Sequence, residues 1–375
     1  MSGVPRGRER HGERWARTVI ALMILLVGLL AAAPAGVASP STRGIPVYAY
    51  FYQWFVKTSW SRAKIDYPLA GRYSSDDRVV LRRQITQAQA AGLTGFLTSW
   101  KSTPTLNRRL QLLLDEARPR GFDVGVVYEA LDFDRRPLPI ATVRHDLTEL
   151  VGRWGSDLTS DAFARPVIIW TGTADYSAAA ICSVRDALAG RAQLLASAKS
   201  AADYERVAAC VGGDAYYWSS AHPGTSYTRS RLDALSDAVH RHGGIWLAPA
   251  SPGFDGRTLH HTRVVARDHG RTLTRSLADA WSSHPDAVGV ISWNEWSENT
   301  YIEPGRRYGV QELTALADYL RAKGSAQARP AVRAGQPARP GAEHGWTGLR
   351  AGIVLTAATV LGCGCALIRV RRRHL

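Results

Sequence analysis

The chain has 375 residues and a formal charge of +15, from 47 Lys and Arg against 32 Asp and Glu. That length admits two ordinary domains, or one barrel or large α/β domain of about 250 to 300 residues. The charge excludes a nucleic-acid partner, because residues 40 to 320 hold 32 Lys and Arg and 29 Asp and Glu, a balance of 32 − 29 = +3; the basicity belongs to the ends.

In chain order, five arginines (Arg6, Arg8, Arg10, Arg14, Arg17) precede an apolar run from Val19 to Ala33 that leads into AAAPAGVASP. This is the charged, apolar and small-residue succession of an export signal, assigned to residues 1–38. An uncleaved anchor is the alternative, for which the run is short. Short β-branched or aromatic runs then alternate with helical ones. Strands are predicted at 46–55 (PVYAYFYQWF), 94–100, 123–131, 166–172, 192–198, 214–220, 244–251 and 287–296. Helical stretches include 76–92, 105–121, 177–190, 230–244 and 311–324, several ending in glycine. Eight strands, each followed by a helix, predict one α/β domain over residues 45–322, a (β/α)8 TIM barrel. The competing doubly wound sheet would want G-x-G-x-x-G after its first strand, and none is there.

Residues 323–347, rich in Ala, Pro, Gly and Arg, read as a flexible linker. Residues 349–369 are predicted to form a transmembrane helix, with eighteen uncharged positions from Ala351 to Ile368. The arginines of RVRRRHL place the tail, 370–375, in the cytoplasm and the barrel outside the cell. Cys182 and Cys210, in the exported part, form a disulfide or stay as two buried thiols. A ratio of 42 arginines to 5 lysines points to a high-G+C bacterial genome.

In such a barrel the chemistry lies at the C-terminal ends of the strands. Polar and aromatic residues gather at those ends: Tyr52 and Trp54 at strand 1, Trp100 and Lys101 at strand 2, Glu129 and Asp132 at strand 3, Tyr217 and Trp218 at strand 6, Asp255 in SPGFDGR after strand 7. At strand 8, SWNEWSENTYIEP (292–304) holds two of the chain's three asparagines, Asn294 and Asn299, with Trp296 between them. Rings that pack on the C–H faces of sugars beside groups that bind hydroxyls predict a carbohydrate cleft, although each Trp alone also suits a core. A turn after Trp296 would bring Glu295 and Glu298 over the barrel mouth as the acid and base of glycosidic cleavage; a surface turn paired with Arg306 and Arg307 is the alternative. No metal or cofactor is expected. His260 and His261 lack a third ligand at useful spacing, and EALDFD reads as a solvated acidic turn or a calcium loop.

SWNEWSENTYIEP resembles the N-E-W-x-E-G-T-x-I-E-P signature of glycoside hydrolase family 99, the endo-α-mannosidases and endo-α-1,2-mannanases. YAYFYQWF is similar to that family's Y-Y-Y-P-W-Y, VVYEAL to its Y-E-P segment, and APASPGFDGR to its P-x-x-G-P-G-Y-x-D segment. The resemblance spans residues 45 to 320 and implies a retaining, endo-acting hydrolase of α-linked, mannose-containing polysaccharide. It also implies roles: Glu295 as the base on the sugar 2-hydroxyl, Glu298 as acid and then base, and Glu129 as a ligand of the sugar being cleaved. Tyr52, Trp54, Trp100, Trp218, Asp255, Asn294 and Trp296 would complete the substrate site. Three positions depart from the pattern: Asn299 for glycine, Ser297 for histidine, Gln53 for proline. The motif also resembles the W-N-D-x-G-E segment of family 71, so an α-1,3-glucanase-like hydrolase and a non-catalytic carbohydrate-binding barrel stand as alternatives.

Overall fold

The structure, a computed structural model, describes residues 44–324 except 133, 159, 161 and 162. The predicted export signal, membrane helix and tail, and all but the first two residues of the linker, lie outside these. Among the described residues no helix is long and apolar enough to cross a membrane.

Eight parallel strands form one sheet: β1 (Val47–Phe51), β2 (Gly95–Trp100), β3 (Asp123–Tyr128), β4 (Val167–Trp170), β5 (Gln193–Leu195), β6 (Gly213–Ala215), β7 (Ile245–Ala250) and β8 (Ala287–Val290). Their order is β5-β4-β3-β2-β1-β8-β7-β6. The open ends meet at one parallel bridge, Ala196 to Asp214, where the Ala196 N–H donates to the Gly213 carbonyl (2.9 Å) and the Ala215 N–H to the Ala196 carbonyl (2.8 Å). The sheet is therefore a barrel, and the doubly wound alternative falls.

A helix follows each strand: α1 (Arg78–Ala90), α2 (Pro104–Ala117), α3 (Ile140–Trp154), α4 (Ala178–Leu188), α5 (Ala201–Glu205), α6 (Ser226–Arg241), α7 (Arg271–Ser282) and α8 (Gln311–Ala322). Several start where a short polar side chain caps free N–H groups. Asp77 accepts from Val79 and Val80, Thr103 from Leu106, Ser177 from Ala180, and Thr225 from Thr228. Cys182 of α4 and Cys210 are joined in a disulfide, Cα atoms 4.5 Å apart.

Side chains alternate across a strand, so the wall has two apolar faces. Tyr48, Tyr50, Leu97, Val127, Val167, Ile169, Leu195, Ala215 and Leu247 fill the barrel. Their neighbours, Ala49, Phe51, Phe96, Val126, Tyr128, Ile168, Leu194 and Trp246, pack outward among Leu110, Leu113, Leu147 and Leu150 of the helices. Each such leucine contributes about 1.5 to 3 kcal/mol by leaving water. At Gly289 a Cβ would meet Leu247 at 2.6 Å and the Tyr50 ring at 2.8 Å, so only glycine leaves room for that tyrosine in the interior.

Candidate active site

The inward register runs on past the strand ends and sets Tyr52, Ser99, Glu129, Thr171, Tyr217 and Ser219 around the mouth. Glu129 accepts hydrogen bonds from the Ser99 hydroxyl (2.8 Å, Oε1) and the Thr171 hydroxyl (3.4 Å, Oε2). The Tyr52 hydroxyl donates to that of Tyr217 at 2.9 Å. Burial first, then the charges of Glu295, Glu129 and Glu298, raise the Tyr52 phenol well above its ordinary range. It stands among all three carboxyls as a permanent O–H.

The segment after β8 is built to turn. The Ile291–Ser292 peptide is cis. The Ser292 hydroxyl accepts the Glu295 N–H (2.7 Å), and the Glu295 carbonyl accepts the Thr300 N–H (3.3 Å). Asn299 takes a left-handed backbone with φ of 55°, at the position where the family signature has glycine; asparagine is among the few other residues that adopt it readily. Across the loop, the Asp255 N–H donates to the Glu298 carbonyl (2.8 Å) and the Thr258 hydroxyl to the Ser297 carbonyl (3.0 Å), from the hairpin Phe254–Asp255 and Val264–Val265. Glu295 and Glu298 thus leave one tight turn, braced by its neighbour.

Burial, and secondly the charge of Glu298, push the Glu295 carboxyl up to about 7, against the opposing pull of the Ser297 N–H (2.9 Å to Oε1) and Lys64. Burial also raises Glu298, opposed by the Ser219 hydroxyl and then by His261 and Arg135. The Glu298 Oε2 atom is buried without a hydrogen-bond partner among the described residues. Glu129 is raised by burial too, opposed by Ser99, Lys101 and Arg135. Burial and the mutual repulsion of Glu295 and Glu298 disfavour ionising both, so the pair can act as donor and acceptor.

The other predicted substrate residues divide. Trp54 is 44% exposed, its ring 4.4 Å from that of Tyr52, open at the mouth. Trp100 and Trp218 face the other way, and the expectation that they line the cleft is corrected. Trp100 is buried against Tyr128 and Trp154, its indole N–H on Asn107 (2.9 Å). Trp218 packs on Tyr216 and Tyr227 outside the barrel wall, under the Arg231 guanidinium. In each case the residue next door is the inward one: Ser99 for the first, Tyr217 and Ser219 for the second.

Asn294 is a splint, not a sugar ligand. It is fully buried, accepting the Tyr52 N–H (2.7 Å) and donating to the Tyr52 carbonyl (2.9 Å), which pairs the turn with the end of β1. Trp296 is likewise buried, stacked on Tyr301 at 3.8 Å. The Asp255 carboxylate is spent on Arg257 (2.6 Å), which holds it below its usual range. Asp132 takes the N–H groups of Asp134 and Arg136 and the Arg136 side chain, so the acidic turn is closed on itself. Among the described residues no three His, Cys, Asp or Glu side chains are grouped to hold a metal ion.

Sequence reasoning misses the hydroxyls of Ser99, Thr171 and Ser219, which strict alternation from the strands would have found. It also misses Lys64, Arg135 and His261, which reach the carboxyls from loops with no spacing signature.

The sequence model of Glycosyl hydrolase family 99 matches residues 62–327. No curated protein matches the sequence. Among solved structures, the endo-alpha-mannosidase from Bacteroides thetaiotaomicron is similar, at 17% identity and a TM-score of 0.63 over 75% of this chain and 98% of that one. The same enzyme in complex with bis-tris-propane gives 18% identity, the same score and the same coverage. A glycoside hydrolase-like protein is similar at 13% identity and a TM-score of 0.59, over 74% of this chain and 94% of that one. At such identities the likeness shows the fold.

Proposed function

The chain belongs to Glycosyl hydrolase family 99 and is a glycoside hydrolase; from that premise we propose that it is a retaining, endo-acting enzyme on α-linked, mannose-containing polysaccharide, with Glu295 and Glu298 as its catalytic pair. The observation that carries this reading is the convergence of both raised carboxyls on one turn over the barrel mouth, beside Tyr52 and Glu129. Burial raises both carboxyls and favours a protonated member of the pair, which can give a proton to a departing glycosidic oxygen while the ionised member accepts one.

In this proposal Glu295 removes the proton from the 2-hydroxyl of the bound mannose. O2 then displaces the leaving oxygen at C1, and Glu298 supplies that oxygen with a proton. The result is a 1,2-anhydro sugar. Glu298, now ionised, takes a proton from water as it opens the ring at C1, and Glu295 returns its proton to O2. Two inversions at C1 give net retention. The route suits an α-mannoside because its axial O2 lies opposite the axial leaving group. Glu129 and Tyr52 hold the sugar, and Trp54 offers an exposed ring for a neighbouring one.

A panel of α-mannans and α-glucans given to the purified protein, with the released oligosaccharides sized and their anomeric form read by NMR, tests the class. Released mannose oligosaccharides of retained configuration are expected; inverted product would overturn the mechanism. An α-mannoside lacking the 2-hydroxyl should bind without turnover. A sugar ester on Glu295 in the mass spectrum would show direct nucleophilic attack instead, at a carboxyl separation of about 5 to 5.5 Å.

The predicted segments at 1–38, 349–369 and 370–375 support an enzyme tethered to the cell membrane with the barrel outside, and the Cys182–Cys210 bond suits an oxidising exterior. Protease added to intact cells should release the barrel by cutting within 325–347 while an epitope after Leu375 survives. Loss of the epitope would reverse the orientation.

A further inference from the structure

Arg267 lies on the connection from β7 to α7, away from the carboxyl ring, yet it is only 5% exposed. A guanidinium is costly to bury unless its donors and charge are answered. Its Nη2 donates to the carbonyls of Asn299 (2.9 Å) and Tyr301 (2.7 Å). Its Cζ lies 4.4 Å from the Tyr301 ring centre and 4.7 Å from that of Tyr308, and Nη1 stands 3.4 Å from Glu312 of α8. Tyr301 in turn carries Trp296 stacked on it.

These contacts converge on one stretch. Both carbonyls belong to the return of the turn that begins at Glu295 and includes Glu298, and one belongs to Asn299, whose left-handed backbone a glycine would adopt more freely. The hairpin holds the turn at Ser297 and Glu298. Arg267 holds it just beyond. Buried Glu312 answers the charge at 3.4 Å, while the Nη2 donors go to the two carbonyls of the turn.

We infer that Arg267 is a positioning residue: by holding the carbonyls of Asn299 and Tyr301 while its guanidinium rests against two tyrosine rings, it keeps Glu295 and Glu298 seated together in the mouth. The consequence for catalysis rests on the glycosidase reading; the clamp itself does not.

The test is Arg267→Lys, which keeps the charge but loses the planar fork that serves two carbonyls beside the tyrosine rings. The glutamate carboxyls are titrated by carbon-13 NMR in the intact protein, with Glu295→Gln used to identify the Glu295 signal and a thermal melt to show folding. In the wild type the Glu295 carboxyl, pushed up by burial, should titrate at about 7. In Arg267→Lys it should fall toward the ordinary carboxylate range by about one pH unit or more, as water reaches a loosened turn. kcat should fall by about 10²-fold with KM little changed, more on natural linkages than on activated aryl mannosides. Should the lysine variant not fold, Tyr308→Leu opens one face of the clamp at a half-buried site and should move the same signal in the same direction. An unmoved Glu295 titration in the folded variant overturns the clamp. An inactive wild type with a moved titration overturns the glycosidase reading alone.

Discussion

Tyr48 and Tyr52 leave β1 four residues apart and point into the same barrel, where each stands near acidic side chains. At the N-terminal end, Asp123 of β3 accepts the Tyr48 hydroxyl at 3.0 Å and the Ser160 hydroxyl, and those two hydroxyls lie 2.9 Å apart. At the C-terminal end, the Tyr52 hydroxyl bonds to Tyr217, and Glu298 keeps a buried oxygen without a partner. The first cluster joins donors to an acceptor, which stabilises the floor of the barrel. The second leaves carboxyls desolvated and incompletely bonded, a destabilising arrangement that holds protons available at neutral pH.

The contrast breaks most visibly in rate. Glu298→Gln should lower hydrolysis of natural α-mannan by about 10² to 10⁴-fold while sparing aryl mannosides with good leaving groups, because only the former need a proton on the departing oxygen. Oligosaccharide binding, measured by calorimetry, should survive. Equal losses on both substrates would remove Glu298 from the acid role.

The next effect is on stability, and its sign follows from the raised carboxyl. Glu295 goes from its ordinary 4.5 to about 7 in the folded chain. Between those values the folded state binds more protons than the unfolded, so stability falls as pH rises through the window and stays lower above it. Glu295→Gln should therefore stabilise the protein by about 2 to 3 kcal/mol at pH 8 and by little at pH 4. Urea melts at the two pH values check this, and equal gains at both would sink it.

Asp123→Ala should show the opposite balance. It removes the acceptor that the Tyr48 and Ser160 hydroxyls share, at a cost of about 1 to 3 kcal/mol in the melt, with kcat/KM unchanged. The smallest contrast sets neighbours against each other: Tyr217→Phe should lower kcat/KM by several-fold, on the order of one hydrogen bond, whereas Trp218→Leu should leave it within about twofold. A larger loss from the tryptophan would mean that the outer face takes part in substrate binding.

The fold is legible because strand and helix alternate with little ambiguity. All eight predicted runs contain the observed strands or overlap them, from Val47–Phe51 to Ala287–Val290. The short α5 is illegible for the same physical reason that it is short: five residues carry no periodic face. In the candidate site, the placement of Glu129, Glu295 and Tyr52 at the mouth is legible because chemistry-bearing residue types crowd local motifs at strand ends. Trp100 and Trp218 mislead because a large ring suits either face of a barrel wall, and one residue of register exchanges the faces. Asn294 misleads differently, since its amide resembles a sugar ligand in sequence but mimics a strand partner in space, a pairing with Tyr52 from 242 positions away.

The bridge at Ala196 and Asp214, with the Gly212 N–H on the Leu194 carbonyl (2.8 Å), is the weld that closes the barrel as a hoop. β5 and β6 are three residues each and flank that weld, so breathing of the wall should begin there, and the amides of Ala196 and Ala215 should exchange with solvent before those of β1 and β2. The covalent link from Cys182 to Cys210 encloses β5 and α5 and runs from α4 to the residues before β6, a strap across the same gap. Closing a loop of 28 positions removes about 3 to 4 kcal/mol of freedom from the unfolded chain. The disulfide thus reinforces the hoop at the seam where its two shortest strands meet.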